Sequence, residues 1–362
     1  MDSNTARIPC PSLSVIIPTW NRSEHVRNCI RSLRGCGVPD LEILVADDGS
    51  TDETAAVVAA VDPATRYLWA PNSGSPAGPR NRAFAESSGR YVAFLDCDDE
   101  WLPDAPGRAV ELLDRYPQVD VLFAEAHMGN TTDGYTSWIE MGGQAEFFKL
   151  ACAQPESDFR ILELVPFFRR MAVRNPVFIG AVIMRREAFA RAGGFDVALR
   201  GAADWELWLR MASTMTFGYL ATPLAIYRRH DDNMSSDEDG MGAEFCMALQ
   251  KVREKCSWLA PAERDWVEHR LRHHLFNQAY RAYCRGDYRE ARRRFGTVLA
   301  EGGAGLRGKL YWLACCLPFG LPGVLRGMKH ALLGKGTPTS TPVPQNEGKL
   351  AQREVLQPME AQ

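Results

Sequence analysis

Three carboxylates follow directly on a short apolar segment of this 362-residue chain. Residues 91–95 are aromatic, β-branched or small and apolar, as in a strand buried in a parallel sheet, and Asp96, Asp98 and Asp99 come immediately after them. Open α/β sheets bind ligands at the carboxyl ends of their strands. Carboxylates crowded there repel one another, and a hard divalent cation that carries a phosphate would relieve the repulsion. An acidic turn that caps a helix beginning near Pro103 is the structural alternative.

Strands and helices alternate along the first part of the chain, and this order would position the carboxylates. Predicted strands lie at 13–17, 41–46, 66–69 and 119–124, and predicted helices lie at 22–33, after Thr51 and at 80–89. The alternation predicts an α/β fold with a doubly wound, mostly parallel sheet. The second half continues with predicted helices at 163–171, 187–192 and 203–211 and predicted strands at 178–184 and 224–227.

Polar clusters follow several of these strands and would converge on one crevice. They comprise residues 18–21, 47–50, 80–81 and 96–99. Taken singly, each has a structural explanation: a strand stop, a turn, a helix start and a cap. Three further clusters follow in the second half, Gly193-Gly194-Phe195-Asp196, residues 203–210 and Tyr227-Arg228-Arg229-His230.

In this order the clusters resemble the family 2 glycosyltransferases, which have the nucleotide-diphosphosugar transferase (GT-A-like) fold. The resemblance runs from residue 13 to 235 and is poor between 129 and 176. It implies that Asp48 binds the nucleotide base, that Arg80 lies near the base and diphosphate, and that Asp96 reaches the ribose or the waters of a metal ion. It also implies that the base pocket is lined by Pro18, Thr19 and Asn21.

The resemblance further implies a metal ion, Mn²⁺ or Mg²⁺, bound by Asp98 and by His230. Asp99 is a third acid in the same turn, and His230 is alternatively a surface histidine. Asp204 resembles the catalytic base that deprotonates the acceptor hydroxyl, so that displacement in one step inverts the anomeric configuration. A helix N-cap is the structural alternative for Asp204, and Glu206 is the second choice for the base.

Composition limits the classes of function. A formal charge of -3, with 24% charged residues, gives no sign of a nucleic-acid partner. The first residues lack a basic patch followed by an apolar core, so we expect no secretory signal and a cytoplasmic location. The ten cysteines lack Cys-x-x-Cys spacing, which indicates reduced thiols instead of a zinc or disulfide framework.

The sequence predicts four regions. Residues 1–12 form a tail and 13–236 a GT-A-like domain, divided into a nucleotide-sugar half (13–128) and an acceptor half (129–236). A helical extension follows at 240–335, with one helix pair of the tetratricopeptide type, and 336–362 are expected to be disordered. His269 and His273 have a spacing that can hold zinc, but without the metalloprotease glutamate a solvated face is favoured.

The segment 306–333 is apolar, interrupted by prolines and flanked by Arg307, Lys309, Arg326 and Lys329. It is too short and broken to span a bilayer. Either it lies in the interface at the inner face of the membrane or it docks on the protein's own surface.

We therefore expect an inverting, metal-dependent glycosyltransferase that moves a sugar from a nucleotide sugar, in the first instance a UDP-sugar. The acceptor would be a glycan or a lipid-linked glycan of surface polysaccharide synthesis. The alternative is a non-catalytic protein that binds nucleotide sugars or acts as a scaffold through its C-terminal helices. A nucleotidyltransferase is disfavoured, since no Gly- and Arg-rich triphosphate loop follows the first strand.

Overall fold

The computed structural model describes residues 11–130, 134–141, 147, 149–228, 238–302 and 305–316. The chain divides into two compact units, Met1–Arg264 and Asp265–Gln362. The predicted tails at 1–12 and 336–362 lie wholly or almost wholly outside the described residues, as does the part of 306–333 that follows residue 316.

One eleven-stranded sheet forms the centre of the first unit, among the residues described. Its strands are β1 (Leu13–Thr19), β2 (Leu41–Asp47), β3 (Arg66–Trp69), β4 (Tyr91–Phe94), β5 (Glu100–Trp101), β6 (Val121–Asn130), β7 (Gly134–Ser137), β8 (Cys152–Glu156), β9 (Phe159–Leu162), β10 (Val182–Arg185) and β11 (Phe217–Tyr227). The spatial order is β3-β2-β1-β4-β10-β6-β11-β9-β8, with β5 paired to β11 and β7 paired to β6.

The sheet has a parallel half and a mixed half. Strands β3, β2, β1 and β4 are parallel, because helices connect them in sequence. Strand β10 runs antiparallel between β4 and β6, and β11 is parallel to β6. Strands β8 and β9 are antiparallel, and a register shift lies between Ala153 and Glu156 at this edge. The predicted α/β fold with a mostly parallel sheet is confirmed in this mixed form.

Nine helices flank the sheet in the described part of the first unit. They are α1 (Ser23–Arg34), α2 (Thr54–Val61), α3 (Ala77–Glu86), α4 (Ala105–Arg115), α5 (Trp138–Met141), α6 (Leu164–Val173), α7 (Arg186–Ala192), α8 (Ala203–Ala212) and α9 (Glu238–Lys255). Strands β1 and β4 are buried along their whole length, which explains why their sequences are mostly apolar rather than alternating.

Two predicted elements differ from the structure. The sequence predicts one strand at 178–184, but Ile179–Ala181 is a 3₁₀ turn and the strand β10 begins only at Val182. The carbonyl of Gly180 in this turn accepts a hydrogen bond from the indole of Trp101 at 2.7 Å. Between 129 and 176 the sequence predicts a mixed connection with one or two helices and specifies no strand, whereas β7, β8 and β9 form there. Their residues are largely exposed or half-buried, so no apolar pattern reveals them.

The second unit is helical in its described residues. Helix α10 (Pro261–Arg285) begins just before the division between the units, and α11 (Tyr288–Ala300) and α12 (Gly305–Ala314) follow it. Helices α10 and α11 form the helix pair that the sequence predicts, with Ala282, Ala291 and Phe295 in its core.

The division falls after Arg264, whereas the sequence places the start of the helical extension at 240. Helix α9 belongs to the first unit because it packs on α8: Phe245 contacts Trp205 with ring centroids 5.1 Å apart. In addition, the Glu244 carboxylate accepts the backbone N–H groups of Arg200 and Gly201 at 2.9 and 3.2 Å.

Candidate active site

The carboxyl ends of β1, β2 and β4 meet at one edge of the sheet. Thr19 pairs with Asp47 across β1 and β2, and Ile16 pairs with Phe94 across β1 and β4. The polar clusters after these strands are therefore neighbours, as the sequence predicts from the order of strands and helices.

The turns after β1 and β2 hold each other through backbone and side-chain hydrogen bonds. Asn21 donates its backbone N–H to the Ser50 hydroxyl at 2.8 Å, and its side-chain oxygen accepts the N–H of Thr51 at 2.8 Å. The Asp48 N–H donates to the Thr19 carbonyl at 2.9 Å. Asn21 adopts a φ of +51°, a conformation that asparagine tolerates better than most residues. Pro18 and Thr19 are buried at the end of β1, beneath these turns.

Asp48 is buried, and its carboxylate binds the loop that precedes α3. It accepts hydrogen bonds from the backbone N–H and hydroxyl of Ser73, both at 2.9 Å. The guanidinium of Arg82 lies 3.3 Å from the same carboxylate. These two partners fix the orientation of the Asp48 carboxylate.

Arg80, on α3, forms an ion pair with Asp96. Arg80 is almost completely buried, and its guanidinium carbon lies 5.3 Å from the ring centroid of Phe195. Because α3 follows β3 and Asp96 follows β4, this pair joins two of the clusters that the sequence identifies.

The acids of the 96–99 turn have different surroundings. Asp99 is buried and accepts the backbone N–H of Arg228 at 3.2 Å, at the end of β11. Burial, followed by the nearby charges of Asp96 and Asp98, raises the pKa of Asp99 well above its usual range. Asp98 is half-buried. The turn therefore directs Asp99 into the protein, an arrangement that the sequence leaves undecided.

No group of three or more His, Cys, Asp or Glu side chains that could hold a metal ion is present within the described ranges. His230, the second predicted metal ligand, lies outside those ranges. The nine cysteines that the structure describes are free thiols.

Asp204 lies in the first turn of α8 and is half-buried. Burial raises the pKa of its carboxyl to about 6, while the backbone N–H of Trp205 and the charge of Arg80 oppose the rise. The charge of Asp96 also acts on this pKa. The structure thus brings Asp204 within electrostatic reach of the Arg80–Asp96 pair. The N-cap of α8 is Ala202, so the interpretation of Asp204 as the N-cap is wrong.

Glu206 points away from this group. It is completely buried and binds the guanidinium of Arg210, one turn later on α8, with N–O distances of 2.7 and 2.8 Å. Arg210 also donates to the Gly194 carbonyl at 2.7 Å, and Lys255 of α9 reaches Glu206 at 3.1 Å. These contacts make Glu206 part of the core. Trp205 and Trp208 are core residues too, and the Trp205 indole donates to the Met171 carbonyl at 2.8 Å.

Three contacts at the site were not apparent from the sequence. Ser73 and Arg82 bind Asp48, and Asn81 binds the backbone of Phe195, as donor to its carbonyl at 2.8 Å and as acceptor from its N–H at 2.9 Å. Asn81 adjoins Arg80, and Phe195 lies in the Gly-Gly-Phe-Asp cluster. Asn81 and Phe195 each belong to a cluster that the sequence identifies. Their contact spans 114 residues, so no local pattern predicts it.

Comparison with known proteins relates the first part of the chain to glycosyltransferases. Residues 14–176 match the model of glycosyl transferase family 2. A GalNAc(5)-diNAcBac-PP-undecaprenol β-1,3-glucosyltransferase of Campylobacter jejuni is 40% identical over 99 residues, which are 26% of this chain and 32% of that protein. The chain thus spans about a third of this relative's length.

Solved structures share the fold. Staphylococcus aureus TarS 1-349 in complex with UDP-GlcNAc superposes with a TM-score of 0.56 and 19% identity, covering 84% of this chain and 79% of the other. The mannosyltransferase PcManGT of Pyrobaculum calidifontis, in complex with GDP-Man and Mn²⁺, gives a TM-score of 0.53 and 18% identity, with coverage of 90% and 86%. Residues 14–176 thus match glycosyl transferase family 2, and the likeness to the solved structures shows that the chain shares their fold.

Proposed function

We propose that the protein is an inverting, metal-dependent glycosyltransferase that uses a UDP-sugar and a glycan or lipid-linked glycan acceptor in surface polysaccharide synthesis. The observation that carries the proposal is Asp204, a half-buried carboxyl with a pKa raised to about 6 beside the Arg80–Asp96 pair. A base whose pKa lies just below neutrality is largely ionised at pH 7 and still basic enough to accept a proton from a hydroxyl in the transition state.

In this reaction Asp204 takes the proton of the acceptor hydroxyl. The acceptor oxygen forms a bond to the anomeric carbon as the bond from that carbon to the diphosphate oxygen breaks. Attack opposite to the leaving UDP inverts the anomeric configuration. Negative charge grows on the diphosphate in the transition state, and Arg80 is the buried cation of the site that could stabilise it.

The nucleotide would bind at the edge formed by Pro18, Thr19, Asn21 and Asp48. The Asp48 carboxylate can accept the imide N–H of uracil, provided that it shares its oxygens with Ser73 and Arg82. The TarS neighbour, whose structure holds UDP-GlcNAc, supports a uridine nucleotide as the donor to test first.

Asp98, together with His230, would hold the Mn²⁺ or Mg²⁺ ion. We assign the ion to Asp98 because its position in this turn resembles that of the metal ligand of the family; Asp96 is paired with Arg80, and Asp99 accepts a backbone N–H. Mg²⁺ is commonly bound by one or two carboxylates with phosphate oxygens and water, and a histidine ligand would favour Mn²⁺. Such an ion would neutralise charge on the leaving UDP.

A lipid-linked acceptor would place the protein in the cytoplasm, at the inner face of the membrane. Support comes from the Campylobacter relative, whose name includes an undecaprenol diphosphate glycan. In the described residues, no helix is both long and apolar enough to cross a bilayer.

A panel of UDP- and GDP-sugars incubated with the protein and Mn²⁺ tests the proposal, with released nucleotide and the anomeric configuration of the product as readouts. Turnover of a UDP-sugar with inversion, lost on chelation of the metal, is the expected result. Binding of nucleotide sugars without turnover or transfer to any glycan acceptor would favour a non-catalytic binding protein instead.

A further inference from the structure

Helix α12 carries exposed aliphatic side chains. Leu306, Leu310 and Leu313 are 74%, 57% and 53% exposed, and their spacing places them on one face of the helix. The other side of α12 is packed, with Gly308 buried and the ring of Tyr311 stacked on that of Phe295 at 5.5 Å. The leucine face therefore is not needed to hold the helix in place.

A cationic cavity adjoins this face. It has a volume of about 250 Å³ and is lined by His269, Arg272, His273, Phe276 and Arg307. Arg307 belongs to α12, and its guanidinium carbon lies 5.2 Å from the ring centroid of Phe276. Arg272 lies 3.6 Å from Glu268, one turn earlier on α10, and no acidic residue of the described ranges lines the cavity itself.

Charge is segregated in this part of the sequence. Residues 302–346 contain no aspartate or glutamate, although they include Arg307, Lys309, Arg326, Lys329 and Lys335. Lys309 is exposed on α12 between Leu306 and Leu310. The described surface thus combines an aliphatic stripe with a cationic margin.

We propose that the leucine face of α12 and the adjoining cavity bind the surface of an anionic membrane. Leu306, Leu310 and Leu313 enter the acyl boundary, while Arg272 and Arg307 bind the phosphate of a lipid headgroup. Aliphatic burial together with several cations is the combination that holds amphipathic helices at anionic bilayers. Complementary charge favours this occupant over a second copy of the chain, because two copies would bring like charges together. The proposal is independent of the sugar-transfer reaction.

Co-sedimentation of the full-length protein with vesicles tests this without donor or acceptor. We expect binding to phosphatidylcholine vesicles that contain phosphatidylglycerol, and much weaker binding to phosphatidylcholine alone. Leu306→Ser with Leu310→Ser should lower the partition coefficient at least about tenfold, because two interfacial leucines are lost. Arg272→Gln and Arg307→Gln should each lower it about fivefold, with a weaker dependence on salt.

Matched control variants are available. Val197→Ser changes an aliphatic residue of the first unit that is 63% exposed, and Arg293→Gln removes an exposed cation that pairs with Glu290 on α11 and does not line the cavity. Both should bind vesicles as the unchanged protein does.

Equal binding to neutral and anionic vesicles, or unchanged binding by the leucine variant, would overturn the proposal. If residues after 316 or a second copy cover the leucines, the variant should instead melt at a lower temperature or lose self-association, with vesicle binding unaltered. If inorganic phosphate protects the unchanged protein against heat and the arginine variants lose only this protection, the cavity serves free phosphate and the membrane assignment fails.

Discussion

Asn81 on α3 and the backbone of Phe195 form two reciprocal hydrogen bonds, with the amide nitrogen 2.8 Å from the carbonyl and the amide oxygen 2.9 Å from the N–H. Asn81 follows Arg80, and Phe195 lies between Gly194 and Asp196 in the segment that leads to α8 and Asp204. The contact therefore connects the helix that carries Arg80 with the segment that leads to the proposed base. A Cβ at Gly194 would lie 2.7 Å from the Asn81 oxygen, so only glycine allows this approach.

Replacing Asn81 should destabilise the protein. Asn81→Ala leaves the N–H and carbonyl of Phe195 without their partners, and we expect a loss of about 1–3 kcal/mol in the free energy of unfolding. Urea denaturation measures the loss. Gln154→Ala, which removes an exposed amide bonded to the Ser157 carbonyl, is the matched control and should cost less than about 0.5 kcal/mol. Similar losses for the two variants would show that the Asn81 contact is not a structural connection.

Asp204→Asn should reduce turnover of the donor and acceptor by about 10²–10⁴-fold while leaving donor affinity nearly unchanged, because the base acts on the acceptor. The unchanged enzyme needs the ionised carboxylate. Its kcat should therefore rise with pH through about 6 and level off above, in accord with the raised pKa. A pH profile that is flat between 5 and 7, about one pH unit on either side of that pKa, would argue against Asp204 as the base.

The same substitution should not lower stability at neutral pH. The folded protein holds the Asp204 carboxyl at a pKa above its ordinary value of 3.8, so the folded state binds this proton more tightly than the unfolded chain. Stability from this group is thus present at low pH and is lost as pH rises towards and through about 6. Asparagine stays neutral, so the variant should gain stability relative to the unchanged protein as pH rises from about 4 to about 7. Denaturation at both pH values measures the gain, and a relative loss would contradict the burial of this carboxyl.

Two variants distinguish a metal-binding role from a structural one: Asp98→Asn tests the proposed metal ligand, and Asp99→Asn tests the buried carboxyl. We expect Asp98→Asn to raise the Mn²⁺ concentration for half-maximal activity at least about tenfold, since even the partners of metal ligands contribute about 10–100-fold to affinity. The amide oxygen that Asp99→Asn introduces can still accept the N–H of Arg228, so this variant should leave the metal requirement unchanged. Metal titration of activity compares the two, and a larger effect at Asp99 would reverse the assignment.

Glu206→Ala should destabilise the protein by about 3–5 kcal/mol, because it leaves the buried Arg210 guanidinium without its carboxylate. Glu290→Ala removes a carboxylate from the partly exposed pairs with Arg293 and Arg294, and should cost about 1 kcal/mol or less. Chemical denaturation compares the two variants. Equal costs would mean that the Glu206–Arg210 pair does not stabilise the core.

Local patterns in the sequence predict the parallel half of the sheet well, because buried strands such as β1 and β4 are mostly apolar. The directions of the acidic side chains depend on long-range contacts and are harder to predict. Asp99 turns inward because β11 places the Arg228 N–H beside it, 129 residues along the chain. The ion pair of Glu206 is easier to predict, because Arg210 follows it at the i+4 spacing of a helical ion pair.

The two edges of the sheet also determine how the protein behaves towards other chains. Strand β8 contains Pro155, which has no N–H to offer, within the register shift between Ala153 and Glu156. At the opposite edge, β3 is only four residues long, and its Arg66 is paired with Glu42 at 2.9 Å. Within the part of the chain that the structure describes, neither edge presents a long, regular row of free backbone groups. The sheet is therefore a poor template for intermolecular strand pairing and resists aggregation from its ends.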